Sequence, residues 1–155
     1  MKKKLFTLCI IYKDSRILLG MKKRGFGQGR WNGFGGKVFP EESIEEAAKR
    51  ELKEEIGISV QNVGKKGILS FEFEGNPEVL EVHIFSLSDL KDKPIETEEM
   101  KPKWFRLNEI PYEKMWPDDK FWLPILLNGK KFTGSFYFRD NNTILYHSIK
   151  EVLKL

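Results

Sequence analysis

Three glutamates in the stretch RELKEEIG, Glu51, Glu54 and Glu55, stand at i, i+3 and i+4. At about 100° per residue they share one arc of a helix. Like charges at that spacing destabilise a helix unless something offsets them. With Leu52 at the centre of a buried face, Glu55 borders the apolar stripe, Glu51 sits beside it and Glu54 lies farther round. Lys49 and Lys53 project to the opposite side. A partly buried carboxylate needs a compensating charge. Arg50 can pair with Glu54 or Glu46, but one arginine cannot neutralise the set. A divalent cation can: an all-oxygen donor set favours Mg²⁺ or Mn²⁺, and Mg²⁺ commonly shares a few carboxylates with substrate phosphates. The plainer reading is a charged helix edge without a ligand, and spacing alone does not separate the two.

A second acidic group lies in MWPDDKFW, where Asp118 and Asp119 are adjacent between Trp116 and Trp122. Near a helix start, such acids ordinarily act as caps and complement the helix dipole. On that reading the surrounding aromatics are core.

The elements that must position these groups are legible along the chain. FTLCIIY and RILLGMKK read as two strands joined by a turn at Lys13-Asp14-Ser15. A glycine-rich loop, RGFGQGRWNGFGGK, follows. The acidic helix comes next: Ser43 and Glu46 form a capping box, Gly57 supplies the stop, and Ile44, Ala48, Leu52 and Ile56 make its apolar stripe. Strands are expected over ILSFEFEG, LEVHIFSL and PKWFRL. A second helix is expected near WPDDKFW, with Pro117 in its first turn and Pro124 kinking or ending it. KFTGSFYF and NNTILYHSI read as a strand pair around Asp140-Asn141-Asn142, with a short helical tail beyond. That order predicts a mixed α+β or α/β sandwich, and 155 residues suit one domain.

Composition excludes several classes. No apolar run reaches the roughly eighteen residues of a membrane span. The start, MKKKLFTLCIIYKDSR, has the lysines and apolar stretch of a signal peptide, but charge follows at once and no small-residue cleavage site is present, so a first strand is expected. Cys9 is the only cysteine and falls in that strand, as a small buried hydrophobe would; a reducing, cytosolic compartment fits, with nuclear or mitochondrial pools as other settings. His83 and His147 are isolated in strand-like surroundings and are not read as metal ligands. The net charge of +4, from 27 basic and 23 acidic residues, suits an anionic ligand but is too mild to indicate nucleic-acid binding.

The residues around the glutamates complete a longer pattern. GKVFPEESIEEAAKRELKEEIGI places Gly36, Glu42, Arg50, Glu51, Leu52, Glu54, Glu55, Gly57 and Ile58 at the spacing of the Nudix box. The chain thus resembles the Nudix hydrolases, which cleave a nucleoside diphosphate linked to another moiety. The resemblance implies an α/β/α sandwich with a mixed β-sheet and a catalytic loop-helix-loop, and metal-assisted attack of water on a pyrophosphate phosphorus. It implies metal binding by Glu51, Glu54 and Glu55, with the Gly35 carbonyl and Glu99 of ETEEMKP as further ligands. One of these acids would double as general base, and Arg50 would orient carboxylates.

LLGMKKRGFGQGRWNGFGGKV, FEFEGNPE, EMKPKWFRL, MWPDDKFWLPILL and DNNTILYHSIKEV carry a closer resemblance, to Nudix hydrolases that act on oxidised purine nucleoside triphosphates. It implies 8-oxo-dGTP and 2-hydroxy-dATP as substrates, with nucleoside monophosphate and pyrophosphate as products. It also implies base recognition by Asn32, Asp118 and Asp119, stacking by Trp116, and contacts from Thr7, Lys22, Phe26, Phe71, Phe73 and Trp122. Leu80 stands where the resembled enzymes carry methionine, which bears on fine base preference. A carboxylate only accepts hydrogen bonds, whereas a protonated acid also donates. Two adjacent acids in an apolar pocket do not both ionise easily. If the proton moves between them, one pocket fits oxidised guanine and oxidised adenine. The alternatives are a Nudix hydrolase for ADP-ribose, a dinucleoside polyphosphate or an RNA cap, and a nucleotide-binding module without catalysis. A monomer that contacts neither membrane nor nucleic acid is expected.

Overall fold

The computed structural model describes residues 2–88 and 90–155. Along the first strand, β1 (Lys2–Lys13), Leu8, Ile10 and Tyr12 face one side while Cys9 and Ile11 face the other. A strand apolar on both faces must be covered on both, and β1 is accordingly central. It pairs in parallel with β5 (Glu78–Leu87) on one side and antiparallel with β2 (Arg16–Lys22) on the other. The sheet order is β3-β2-β1-β5-β4-β7-β8, with β3 at Trp31–Asn32, β4 at Gly64–Phe73, β7 at Lys131–Asp140 and β8 at Thr143–Val152. β6 (Met100–Arg106) runs antiparallel along β2. The β4–β7 contact is also parallel, so the sheet is mixed as expected.

One helix covers each face. α1 (Ile44–Ile56) lays Ala48, Leu52 and Ile56 over Cys9, Ile11, Leu18, Phe34 and Phe85. α2 (Asp119–Leu127) sets Trp122, Leu123 and Leu126 against Ile10, Leu69, Phe132 and Phe136 on the other. Both signals that bound α1 hold. Ser43 Oγ accepts the Glu46 N–H while the Glu46 carboxylate accepts the Ser43 N–H, and Gly57 ends the helix at φ 71°.

Three details differ from the sequence expectation. Pro117 precedes α2 instead of entering its first turn, and Pro124 lies inside a helix that continues to Leu127. The carbonyl that Pro124 leaves without a donor belongs to Lys120, which is exposed, so water can serve it. β8 runs to Val152 with no helical tail. β1 also begins earlier than its apolar run, because Lys4 and Lys3 pair with Glu78 and Glu81 of β5 at 2.8 and 3.1 Å while the ladder continues beneath them.

The feature that makes room for a site is the splaying of β1 from β2. They pair only near their turn, from Ile11↔Leu18 to Lys13↔Arg16. Beyond that, residues 31–37 are wedged between them. β3 pairs with Gly20 and Met21 of β2, and bridges Cys9↔Phe34 and Phe6↔Lys37 bind the segment to β1. Gly35 is required here, since a Cβ would lie 1.8 Å from the Thr7 carbonyl oxygen.

Cys9 is buried, which pushes its thiol up to about 12, so it behaves as a hydrophobe. Neither histidine joins a group of potential ligands among the described residues. No described helix is long and apolar enough to cross a membrane. Ser43→Ala should lower the unfolding free energy by about 1 kcal/mol in urea titration, the usual worth of such a cap.

Candidate active site

Of Glu51, Glu54 and Glu55 on α1, two are drawn into the protein. Glu55 is 1% exposed and Glu51 9%, while the Glu54 side chain is about half exposed. The Gly35 N–H donates to Glu55 Oε1 at 2.7 Å, and a Cβ on Gly36 would meet Glu51 Oε1 at 2.5 Å. The wedge of residues 31–37 therefore presses backbone directly onto the acids. Arg50 organises the outer side. Its Nη1 donates to Glu51 at 2.9 Å and Glu54 at 3.2 Å, its Nη2 to Glu42 at 2.6 Å and the Lys37 carbonyl at 2.9 Å. The Glu54 pairing matches the sequence reading; the alternative partner, Glu46, is engaged in the capping box instead. The Phe39 ring lies 3.9 Å from the guanidinium.

Burial pushes Glu55 up to about 8, helped by the neighbouring Glu51 charge and opposed by Lys22 and the Gly35 N–H. Glu51 is also raised, since burial outweighs its pairing with Arg50. Both feel Glu99, which a separate anchor brings alongside. Thr97 Oγ1 donates to the Glu55 carbonyl at 2.8 Å and accepts from the N–H groups of Glu99 and Met100 at 3.3 Å. Lys23 secures the same turn through the Thr97 carbonyl at 2.7 Å and the Glu96 carboxylate. Thr97 and Lys23 carry no sequence signal, because their contacts span forty to seventy residues of chain.

Among the described residues no three acidic, histidine or cysteine side chains converge into a ready-made cation cage. The donor chemistry nevertheless suits a hard divalent ion: an all-carboxylate set in which Glu55 is buried against Glu51 without a cation of its own. Mg²⁺ commonly takes one or two carboxylates and completes its shell with water and substrate phosphates.

Glu55, Gly35, Gly36 and Lys22 form one end of a cleft of about 340 Å³. Asn32, Trp116, Asp118 and Asp119 form the other, with Phe26, Phe71, Phe73 and Leu80 as walls; Thr7 also lines it. Phe6, Leu8, Val82, Met100 and Phe138 also line it, with Gly27 and Gly33, and were not anticipated; the first five, as strand and core residues, carry only an apolar signal. Trp122 does not line the cleft. It is buried in the core, and its indole N–H donates to Asp118 Oδ2 at 2.8 Å, so it positions the acid from behind. Glu51, Glu54, Arg50 and Glu99 also lie outside the lining, around the carboxylate end.

The acid pair is not a helix cap. Asp118 occupies the cap position but its side chain makes no capping bond; Trp122 takes its oxygen instead. Burial raises both carboxyls. Asp119 rises much further, because the Asp118 charge and hydrogen bonding between the two carboxyls favour a proton on it. Asp119 Oδ2 and Thr7 Oγ1 are buried without hydrogen-bond partners, as groups awaiting a ligand would be. The Gly33 N–H fixes the Asn32 amide at 2.8 Å. Trp116 stands against Phe26, with ring centroids 4.9 Å apart.

The NUDIX domain family matches the chain over residues 2–125, and the chain belongs to that family. It is 56% identical over 149 residues to the oxidized purine nucleoside triphosphate hydrolase of Mus musculus, and 48% identical over 149 residues to that of Danio rerio. Each alignment covers 96% of both chains. The crystal structure of a mutator MutT protein from Bacillus halodurans superimposes with a TM-score of 0.84 at 28% identity, covering 95% of this chain and 97% of that one.

The Asp119 proton has a consequence for stability. A raised acid holds in the folded state a proton that the unfolded chain releases above its value of 3.8, so stability is lost as pH rises through the folded value. Asn at this position still donates but does not ionise. Calorimetry of Asp119→Asn should show a melting temperature near wild type below the unfolded value of 3.8, and a growing advantage as pH rises from there through the raised folded value.

Proposed function

We propose that this chain hydrolyses oxidised purine nucleoside triphosphates, 8-oxo-dGTP and 2-hydroxy-dATP among them, to the monophosphate and pyrophosphate. It thereby removes them before they can enter DNA. The continuity of a single cleft from Glu55 to the Asp118–Asp119 pair carries this reading. One end is chemically fitted to phosphate and the other to a purine edge. The likeness to two hydrolases of oxidised purine nucleoside triphosphates supports it.

At the base end, Trp116 offers its face to a flat ring. Asp118 accepts from a ring N–H or amine, Asp119 donates its proton to a ring acceptor, and Asn32 does both. Guanine and adenine exchange donor and acceptor positions, and relocating the proton between the two acids lets one pocket follow that exchange. Thr7 Oγ1 supplies a further polar contact. At the other end Lys22 meets phosphate charge. Glu51, Glu54 and Glu55, with Glu99 and the Gly35 carbonyl, would hold Mg²⁺, or Mn²⁺ in its place. The ion when bound neutralises phosphate oxygens and polarises the attacking water. Glu55 is the α1 acid that lines the cleft, which supports reading it as the acid that takes the proton of that water. Arg50 keeps Glu51 and Glu54 oriented. One chain supplies all these groups, so the enzyme works as a monomer.

Pyrophosphate release with Mg²⁺, measured on 8-oxo-dGTP, 2-hydroxy-dATP, dGTP and ADP-ribose, tests the assignment. The oxidised nucleotides should exceed dGTP in kcat/KM by about tenfold or more, as expected where polar groups read the base. Glu55→Gln should still bind 8-oxo-dGTP while kcat falls by about 10²–10⁴. Preference for ADP-ribose, or tight binding by the wild type without pyrophosphate release, would overturn the proposal.

A further inference from the structure

Behind Trp116 lies a second, open cavity of about 640 Å³, lined by Arg30, Lys114, Lys120 and Asn142 among others. Trp116 lines the first cavity and not the second, and Arg30 the second and not the first. The Arg30 guanidinium lies 4.3 Å from the Trp116 ring centroid. Its backbone and Nη2 are fastened. The Arg30 N–H donates to the Gly27 carbonyl and its own carbonyl accepts from Lys22, both at 3.1 Å. Its Nη2 donates to Asn142 Oδ1 in the β7–β8 turn. Nη1 is buried with no hydrogen-bond acceptor. Asn142 is in turn held by Asp140, which accepts its N–H at 2.8 Å.

We propose that Arg30 sets base specificity from behind the stack, fixing Trp116 and drawing its π density away from the cleft so that neutral, carbonyl-bearing purines are favoured over cationic ones. The inference rests on the reading of the cleft as a purine site. An aromatic face attracts cations through its quadrupole. A face whose electron density already serves one guanidinium attracts a second cation less. A purine alkylated at N7 carries a positive charge spread over its rings and would meet this weakened face. The Asp118 charge at the ring edge would otherwise draw such a base in, and Arg30 is the positive charge that opposes it; the same charge acts against the upward shift of both carboxyls. Arg30 is thus a positioning and specificity residue that acts through Trp116.

Binding of 8-oxo-dGMP and of 7-methyl-GMP, each measured calorimetrically without metal, tests this apart from catalysis. Arg30→Met should move the ratio of the two affinities towards the methylated nucleotide by about three- to tenfold, the range of a cation–π contact. Asn142→Ala, which frees the guanidinium without removing it, should move the ratio the same way by less, and Arg30→Lys should fall between wild type and Arg30→Met. These two variants carry the test if Arg30→Met melts early. Equal changes for both ligands in all three would overturn the proposal and reduce Arg30 to a structural brace. Trp116→Ala separates the premise: it should weaken both ligands, and unchanged binding would overturn the stacking reading and the proposal with it.

Discussion

The structure depends on one contact, the backbone of Gly35 and Gly36 pressed against the carboxylates of Glu55 and Glu51. It exists because β1 and β2 separate beyond their turn and admit residues 31–37 between them. No side chain can fill that space at Gly35, so the loop lies flat and its N–H reaches Glu55 directly. The same segment carries Asn32 into the cleft. A single packing event therefore sets the carboxylate end and part of the base end together, and the glycines are fixed by contact distance.

The two acidic groups illustrate opposite solutions to buried charge. Asp118 and Asp119 sit in an apolar surround that raises both, and the Asp118 charge beside Asp119 favours a proton on the pair. The α1 acids have Arg50 on the outside, but Glu55 faces inward with only an N–H and distant Lys22 for compensation. A divalent cation would meet that deficit, in a family whose members generally use one. The acids would hold it together with substrate phosphate, so they alone need not form a closed cage. On the proposed reading, the aspartate pair recognises the base and the glutamates serve the reaction, within one cleft whose walls are largely aromatic.

What the sequence made legible was local or patterned. The capping box, the Gly57 stop and the division of α1 into buried and exposed glutamates all followed from helical periodicity. The lining residues came from resemblance, and ten of them lie in one cleft. What escaped depended on side chains reaching across the fold. Arg50 binds Glu42, eight residues away across the loop, as well as Glu54. Asp118 looked like a cap, yet the Trp122 indole, one turn along, claims its oxygen. Trp122 looked like a pocket wall, but that same bond holds it in the core. Thr97 and Arg30 are ordinary polar residues in sequence; only the folded chain sets one on the end of α1 and the other on the back of Trp116. Of the two outcomes expected at Pro124, a kink or an end, the end does not occur, since α2 continues to Leu127.

The central claim is that Glu55 enters the reaction only when a divalent cation displaces its proton. With its acidity held near 8, Glu55 is mostly protonated in the free protein at about pH 6.5. Ligation requires the carboxylate, so binding must release that proton. Titrating Mg²⁺ into the protein calorimetrically, in buffers of different ionisation enthalpy, measures the release. The account predicts about one proton per cation at pH near 6.5, falling towards zero by about pH 9.5, and lost in Glu55→Gln. Cation binding with no proton release across that range would contradict it.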